Sequence, residues 1–137
     1  MRKYRRENIR SNTGKKLIRS LFQAVDWYSG NFPERLKKAF ENSSHVISAW
    51  DGEQLIGLIR GLDDGIWQAT IDCLLVKPEY QGQQIASTLL HMLLEEYKEL
   101  LYVDVVPEEK RNVGFYLKHG FKIMEEGTPL QIKGDWE

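Results

Sequence analysis

Residues 74–90 read LLVKPEYQGQQIASTLL, and three kinds of pattern meet in them. The run Ile66 to Val76 is apolar and β-branched enough for a strand. Lys77 to Gln84 is a polar loop holding one proline and one glycine. From Ile85 onward, Leu89, Leu90, Leu93, Leu94 and Tyr97 recur at three- and four-residue spacing, which predicts a helix to about residue 99. The apolar stretch LLYVDVV follows at once. A helix of that length between two strands returns the chain across the sheet, so strands 67–76 and 101–106 are expected to be parallel, with a right-handed crossover.

Upstream, Asn12 or Thr13 can cap a helix whose inner face is Leu17, Ile18, Leu21, Phe22, Val25 and Tyr28. Pro33 suits the first turn of a second helix lined by Leu36, Ala39 and Phe40. HVISAW and QLIGLI, joined at Asp51-Gly52, form an expected hairpin, and Asp63-Asp64-Gly65 marks a second turn. Downstream of Pro107, EEKRNVGFYLKH predicts another helix stopped by Gly120, with FKIM as the next strand. For GTPLQIKGDWE the sequence leaves a further strand and a frayed end equally open.

A chain of 137 residues with 42% hydrophobic content suits one domain around one core, so residues 1–137 are taken as a single domain. Lys and Arg total 19 against 20 Asp and Glu, so no global field drives the chain onto nucleic acid or an anionic membrane. No apolar run reaches the roughly 20 residues that span a bilayer, and MRKYRRENIR lacks the apolar block of a signal peptide. A soluble, cytoplasmic protein is expected. A single cysteine, Cys73, excludes an internal disulfide and a cysteine-cluster metal site. His45, His91 and His119 show no metal-ligand spacing, so no metal is expected.

The loop is where chemistry is expected. The first N–H groups of a helix have no internal partner and carry the positive end of its dipole, so an anion fits there. Gly82 and Ala86 leave room for close approach, and Ser87 could add a hydroxyl donor. Neither GxxxxGK[ST] nor GxGxxG is present, so the anion must be held mainly by backbone.

In these residues the chain resembles the GNAT superfamily of N-acetyltransferases, whose central motif is a strand, a Q/R-x-x-G-x-G/A loop and a helix. Gln81 matches the first position and Ala86 the last, while the middle glycine falls on Gln84. A glutamine with ordinary helical φ would still donate its N–H there. RNVGFYLKHGF resembles the family's second signature, an Asn followed by FY, a charged pair and GF. The resemblance implies an α/β fold of α+β type: one mixed, largely antiparallel sheet with a parallel, splayed strand pair, flanked by about four helices. It implies acetyl-CoA as cosubstrate. Backbone groups of Leu74, Leu75 and Val76 would pair with its pantetheine arm, and the amides of Gln81, Gly82, Gln83, Gln84, Ile85, Ala86 and Ser87 would hold its pyrophosphate. Asn112 would touch the cofactor arm, and Tyr116 would stand near the coenzyme sulfur, where a phenol with pKa about 10 can protonate a departing thiolate.

For a base, Asp72 is the candidate, close to where the family often carries an acid, although Cys73 aligns better. Strand alternation turns the two to opposite sides, so they cannot both face the cleft. Cys73 itself reads as a small buried hydrophobe rather than a nucleophile. Asp63 and Asp64 sit in a turn that could reach an incoming cation, or read as solvated turn residues; a carboxylate could also act through water, or the amine could arrive deprotonated, so the choice of base stays open. The implied activity is direct acetyl transfer to a primary amine, of a small molecule or a protein. Trp27, Tyr28, Trp50 and Trp67 could line the acceptor cleft or pack in the core. Two rival readings remain: an acyl-CoA-binding sensor without turnover, and a nucleic-acid contact through Arg2, Lys3, Arg5, Arg6 and Arg10. No nucleic acid and no membrane are expected as partners, and an exposed sheet edge or C-terminal strand could pair two copies into a homodimer.

Overall fold

The structure is a computed structural model that describes residues 2–6, 12–25 and 27–136, with the side chains of residues 12–15 outside that description. The capping role expected of Asn12 or Thr13 therefore lies outside the described residues. The chain divides into two compact units, Met1–Val105 and Val106–Glu137.

The first unit holds a five-stranded sheet in the order β1-β2-β3-β4-β5. Its strands are β1 (Arg2–Arg5), β2 (His45–Asp51), β3 (Gln54–Asp63), β4 (Gln68–Val76) and β5 (Tyr102–Val105). All neighbours pair antiparallel except β4 and β5, which pair in parallel, as the strand-helix-strand reading requires. Asp51 pairs with Gln54, so Gly52 and Glu53 form the hairpin turn, one residue later than the sequence suggested. At the second turn, Asp64 Oδ1 accepts N–H bonds from Ile66, Trp67 and Gln68 at 2.8, 2.6 and 3.2 Å. Those bonds, led by the one from Trp67, hold its carboxyl below the usual carboxylate range.

One face of the sheet is covered by α1 (Asn12–Ala24) and α2 (Pro33–Glu41). Ile18, Leu21 and Phe22 of α1 and Leu36 and Phe40 of α2 join Val46, Trp50, Leu55, Leu58 and Leu75 in one buried cluster. Tyr28 is not part of α1. It starts a separate 3-10 turn, Tyr28–Asn31, and stands 46% exposed. Helix α3 (Ile85–Glu96) packs against β2, β3 and β4 through Ile85, Leu89, Leu90 and Leu93. Each such side chain contributes roughly 1.5–3 kcal/mol by leaving water. Tyr97, the C-cap of α3, reaches β3, where its hydroxyl donates to Asp63 Oδ2 at 2.9 Å. Asp63 is thus a structural partner rather than the solvated turn residue expected.

In the second unit the expected helix over 108–119 starts late. A 3-10 turn, Lys110–Asn112, leads into α4 (Val113–Lys118). The strand expected at FKIM is not formed: residues 121–124 have no ladder partner among the described residues, and Ile123 and Met124 are mostly exposed. Four residues with β pattern become a strand only where a partner supplies hydrogen bonds, and pattern alone cannot supply one.

Candidate active site

The parallel ladder between β4 and β5 runs only from Gln68↔Tyr102 to Ile71↔Val105. From Asp72 to Val76, β4 continues paired to β3 alone, so its β5 side is free of a described strand. This is the splay the resemblance implied, and Leu74, Leu75 and Val76 lie along it.

At the start of that free edge β4 carries a bulge. Arg60 pairs with Asp72 and Leu58 with Leu75, so Cys73 and Leu74 together oppose Ile59. Cys73 has φ +59, in the left-handed region an L-residue enters at a cost of roughly 1–2 kcal/mol. The left-handed residue resets the pleat and overturns the expected alternation. Cys73 packs against the α1–α2 core cluster. Asp72 meets Arg60, whose guanidinium lies 6.0 Å from the Phe40 ring of α2, so both residues turn to the same face. Burial, reinforced by the Asp72 charge, pushes the Cys73 thiol up to about 12, which keeps it protonated and inert as a nucleophile.

Asp72 has both oxygens engaged. Oδ1 accepts the Cys73 N–H at 2.9 Å, and Oδ2 accepts from Arg60 at 3.2 Å. Arg60 Nε donates to Ser43 Oγ at 2.8 Å, and Ser43 donates to the Ala39 carbonyl at 2.7 Å. Arg60 and Ser43 were not singled out from sequence. No local signal marked Arg60: counting outward from Asp63-Asp64-Gly65 sets it opposite Gln68, whereas the longer turn pairs Asp63 with Ala69 and so Arg60 with Asp72.

The loop after β4 is tied at several points. A 3-10 turn, Pro78–Tyr80, follows Lys77. The Tyr80 hydroxyl donates to Asp51 Oδ2 at 2.6 Å, fixing the loop to the β2–β3 turn and holding the Asp51 carboxyl low. Gln81 Nε2 donates to the Val76 carbonyl at 3.1 Å, so its side chain braces the strand end. Gly82 and Gln84 both have positive φ, +79 and +67, while Gln83 between them does not. Gly82 is favoured there by its φ alone, since an added Cβ would meet nothing within 4 Å. Alternating handedness of this kind turns successive N–H groups toward one side, an anion-binding concavity.

Gln84 is the N-cap of α3 with φ 67 and ψ 12, not the helical φ expected of it, and makes no side-chain cap bond. Its carbonyl accepts from the Thr88 N–H at 3.0 Å, which starts the helix. The N–H groups of Ile85, Ala86 and Ser87 therefore belong to the first turn, where the helix offers no internal acceptor. The glutamine follows the path a glycine would take. Gln84→Gly is expected to raise the unfolding free energy by up to about 1 kcal/mol, since it relieves a left-handed L-residue. Acetyl-CoA affinity should stay equal or tighten; a large loss in calorimetry would mean the cradle is misread.

Asn112 and Tyr116 belong to the second unit. Asn112 is exposed and is the N-cap of α4. Tyr116 is buried, its ring edge-on to Phe115 at 5.2 Å and Phe121 at 5.5 Å. Of the aromatic residues weighed for an acceptor cleft, Trp50 is core, with Nε1 on Ser48 Oγ at 2.8 Å. Trp27 packs partly buried beside Phe22, whereas Trp67 is 56% exposed at the opposite end of β4 from the loop. Of the basic N-terminal residues, Arg10 lies outside the described residues, and three others have separate partners. Arg5 stacks on Trp50 at 4.5 Å, Arg6 bonds Glu96 at 2.5 Å, and Arg2 reaches the Gln83 carbonyl at 3.4 Å. Among the described residues no group of three or more His, Cys, Asp or Glu could hold a metal, and no helix is long and apolar enough to cross a membrane.

A mixed sheet that splays beside a bulged strand and ends on a left-handed loop at a helix N-terminus defines the acetyltransferase class of α/β fold. The chain belongs to the acetyltransferase (GNAT) family, whose model matches residues 13–121. It is 32% identical to a GNAT family acetyltransferase from Streptococcus pneumoniae, with a TM-score of 0.81 and full coverage of both chains. It is 30% identical over 116 residues to an uncharacterized N-acetyltransferase of Prochlorococcus marinus, covering 81% of this chain and 64% of that relative's length. In fold it is also similar to an aminoglycoside 6'-N-acetyltransferase complexed with coenzyme A, at 17% identity and TM-score 0.59 over 71% of this chain and 56% of that one.

Proposed function

We propose that this chain is an acetyl-CoA-dependent N-acetyltransferase that passes the acetyl group directly to a primary amine of a small molecule or protein, working in the cytoplasm. The observation that carries the reading is the free β4 edge from Asp72 to Val76 running into the left-handed loop at Gly82 and Gln84. Extended backbone on that edge suits a pantetheine arm, and the loop amides with the α3 N-terminus suit a pyrophosphate. Both compact units are proposed to serve as one acetyltransferase domain, a reading supported by the family match running across the Val105–Val106 division.

In the proposed reaction a neutral amine attacks the thioester carbonyl, the carbon–sulfur bond breaks, and the thiolate takes a proton. The Tyr116 phenol supplies that proton, and the one lost by the amine to solvent completes the balance. Backbone N–H groups beside the bulge favour the charge that develops on the carbonyl oxygen. The acceptor is proposed to approach from the side of Trp27 to Phe40. A sensor without turnover would follow from a loop damaged at Gln84, but its glycine-like φ favours an intact cradle. Calorimetry with acetyl-CoA, followed by a thiol-release screen over an amine library, tests the proposal. Binding with release on at least one amine is expected; no detectable binding would overturn it, and binding without release on any amine would favour the sensor.

A further inference from the structure

We infer that Asp72 is a positioning residue that locks the β4 bulge at Cys73, rather than a proton acceptor; the functional half of this inference rests on the acetyltransferase reading above. Three observations converge on it. The strand's only left-handed residue is Cys73, and the Asp72 carboxylate receives its N–H at 2.9 Å. The other oxygen is held by Arg60 at 3.2 Å. Arg60 is itself held by Ser43, which bonds back to the Ala39 carbonyl in α2. The bulge is thereby tied through Asp72, Arg60 and Ser43 to the helix layer covering that face.

The tie matters because the bulge at Cys73 and Leu74 stands just beyond Ile71, the last residue paired to β5, on the free edge that starts at Asp72. A left-handed cysteine in a strand persists only if its surroundings over-determine it. The carboxylate satisfies the N–H that the bulge removes from the ladder, and the guanidinium fixes the carboxylate.

The test uses four variants of the full chain. Asp72→Ala is expected to expose the Cys73 amide, raising its hydrogen-exchange rate at least about tenfold, and to weaken acetyl-CoA binding about tenfold. Asp72→Asn keeps a carbonyl for that N–H but gives up the bond to Arg60, so its amide exchange and affinity should fall between those of the wild type and Asp72→Ala, with the acid limb of the kcat/KM profile unmoved. Adding Cys73→Gly to Asp72→Ala restores affinity to within about threefold, because glycine takes positive φ unaided, whereas adding Cys73→Ala does not. Unchanged amide exchange in Asp72→Ala would overturn the inference without any cofactor in the tube, whether or not the acetyltransferase reading holds. Loss of turnover beyond about a hundredfold in Asp72→Asn together with the acid limb would also overturn it, in favour of a general base. So would equal rescue by alanine and glycine at Cys73.

Discussion

Gly61→Ala is expected to lower the unfolding free energy by about 2–4 kcal/mol and the melting temperature by about 10 °C. An added Cβ at Gly61 would lie 2.1 Å from Tyr97 Oη, 2.9 Å from Cζ and 3.0 Å from Cε2. The ring has nowhere to retreat. Tyr97 is 3% exposed, its hydroxyl is bonded to Asp63, and its ring meets His45 edge-on at 5.4 Å. Two costs therefore add, overpacking and a broken buried hydrogen bond. In a Tyr97→Phe background the atom nearest the new methyl is gone, and the same substitution should cost less by at least about 1 kcal/mol in a double-mutant cycle. A melting curve of Gly61→Ala within about 2 °C of the wild type would show that the contact is slack. The same phenol gives a pH signature. Burial first, then the bond to Asp63, raises its pKa above the ordinary 10.0. The folded state therefore holds the proton more tightly, so this contribution is intact below about pH 10 and falls away as pH rises beyond it. Tyr97→Phe should remove that alkaline decline.

Tyr116→Phe is expected to reduce kcat about a hundredfold while leaving KM for acetyl-CoA within about twofold. The phenyl ring preserves the packing between Phe115 and Phe121, so the variant should melt close to the wild type. What it loses is the hydroxyl proton proposed for the departing thiolate. An unchanged turnover rate in steady-state kinetics would remove the assignment, and a loss of affinity alone would make Tyr116 a binding residue. These outcomes are separable because a proton delivered late in the reaction affects kcat and not ground-state binding.

Much of the fold was legible because its signals are local. The parallel β4–β5 pair followed from helix length, and the hairpins followed from Asp-Gly and Asp-Asp-Gly turns, although the first turn is set one residue later. The strand expected at FKIM did not form, because a strand is completed by a partner that the segment does not encode. The loop was located by its pattern, yet its conformation was not. Gln84 was expected at helical φ and adopts +67, since the backbone path at a junction is set by where strand and helix must meet. The bulge was illegible for a related reason. Alternation through ATID gives way to the apolar run CLLV, and a run without alternation does not say which of its residues breaks the pleat.

By itself the sequence determined the order of strands and helices from α1 to α4, the family resemblance, and the strand–loop–helix segment on which the proposed cofactor site depends. Those follow from periodicity and from residue types with fixed local preferences. Only the tertiary structure decided that Asp72 and Cys73 share a face, that Arg60 and Ser43 hold the carboxylate, that Tyr80 anchors the loop on Asp51, and that Tyr97 fills the space over Gly61. Each depends on pairing register and on close approach between residues distant in the chain, and these are settled only when the elements pack.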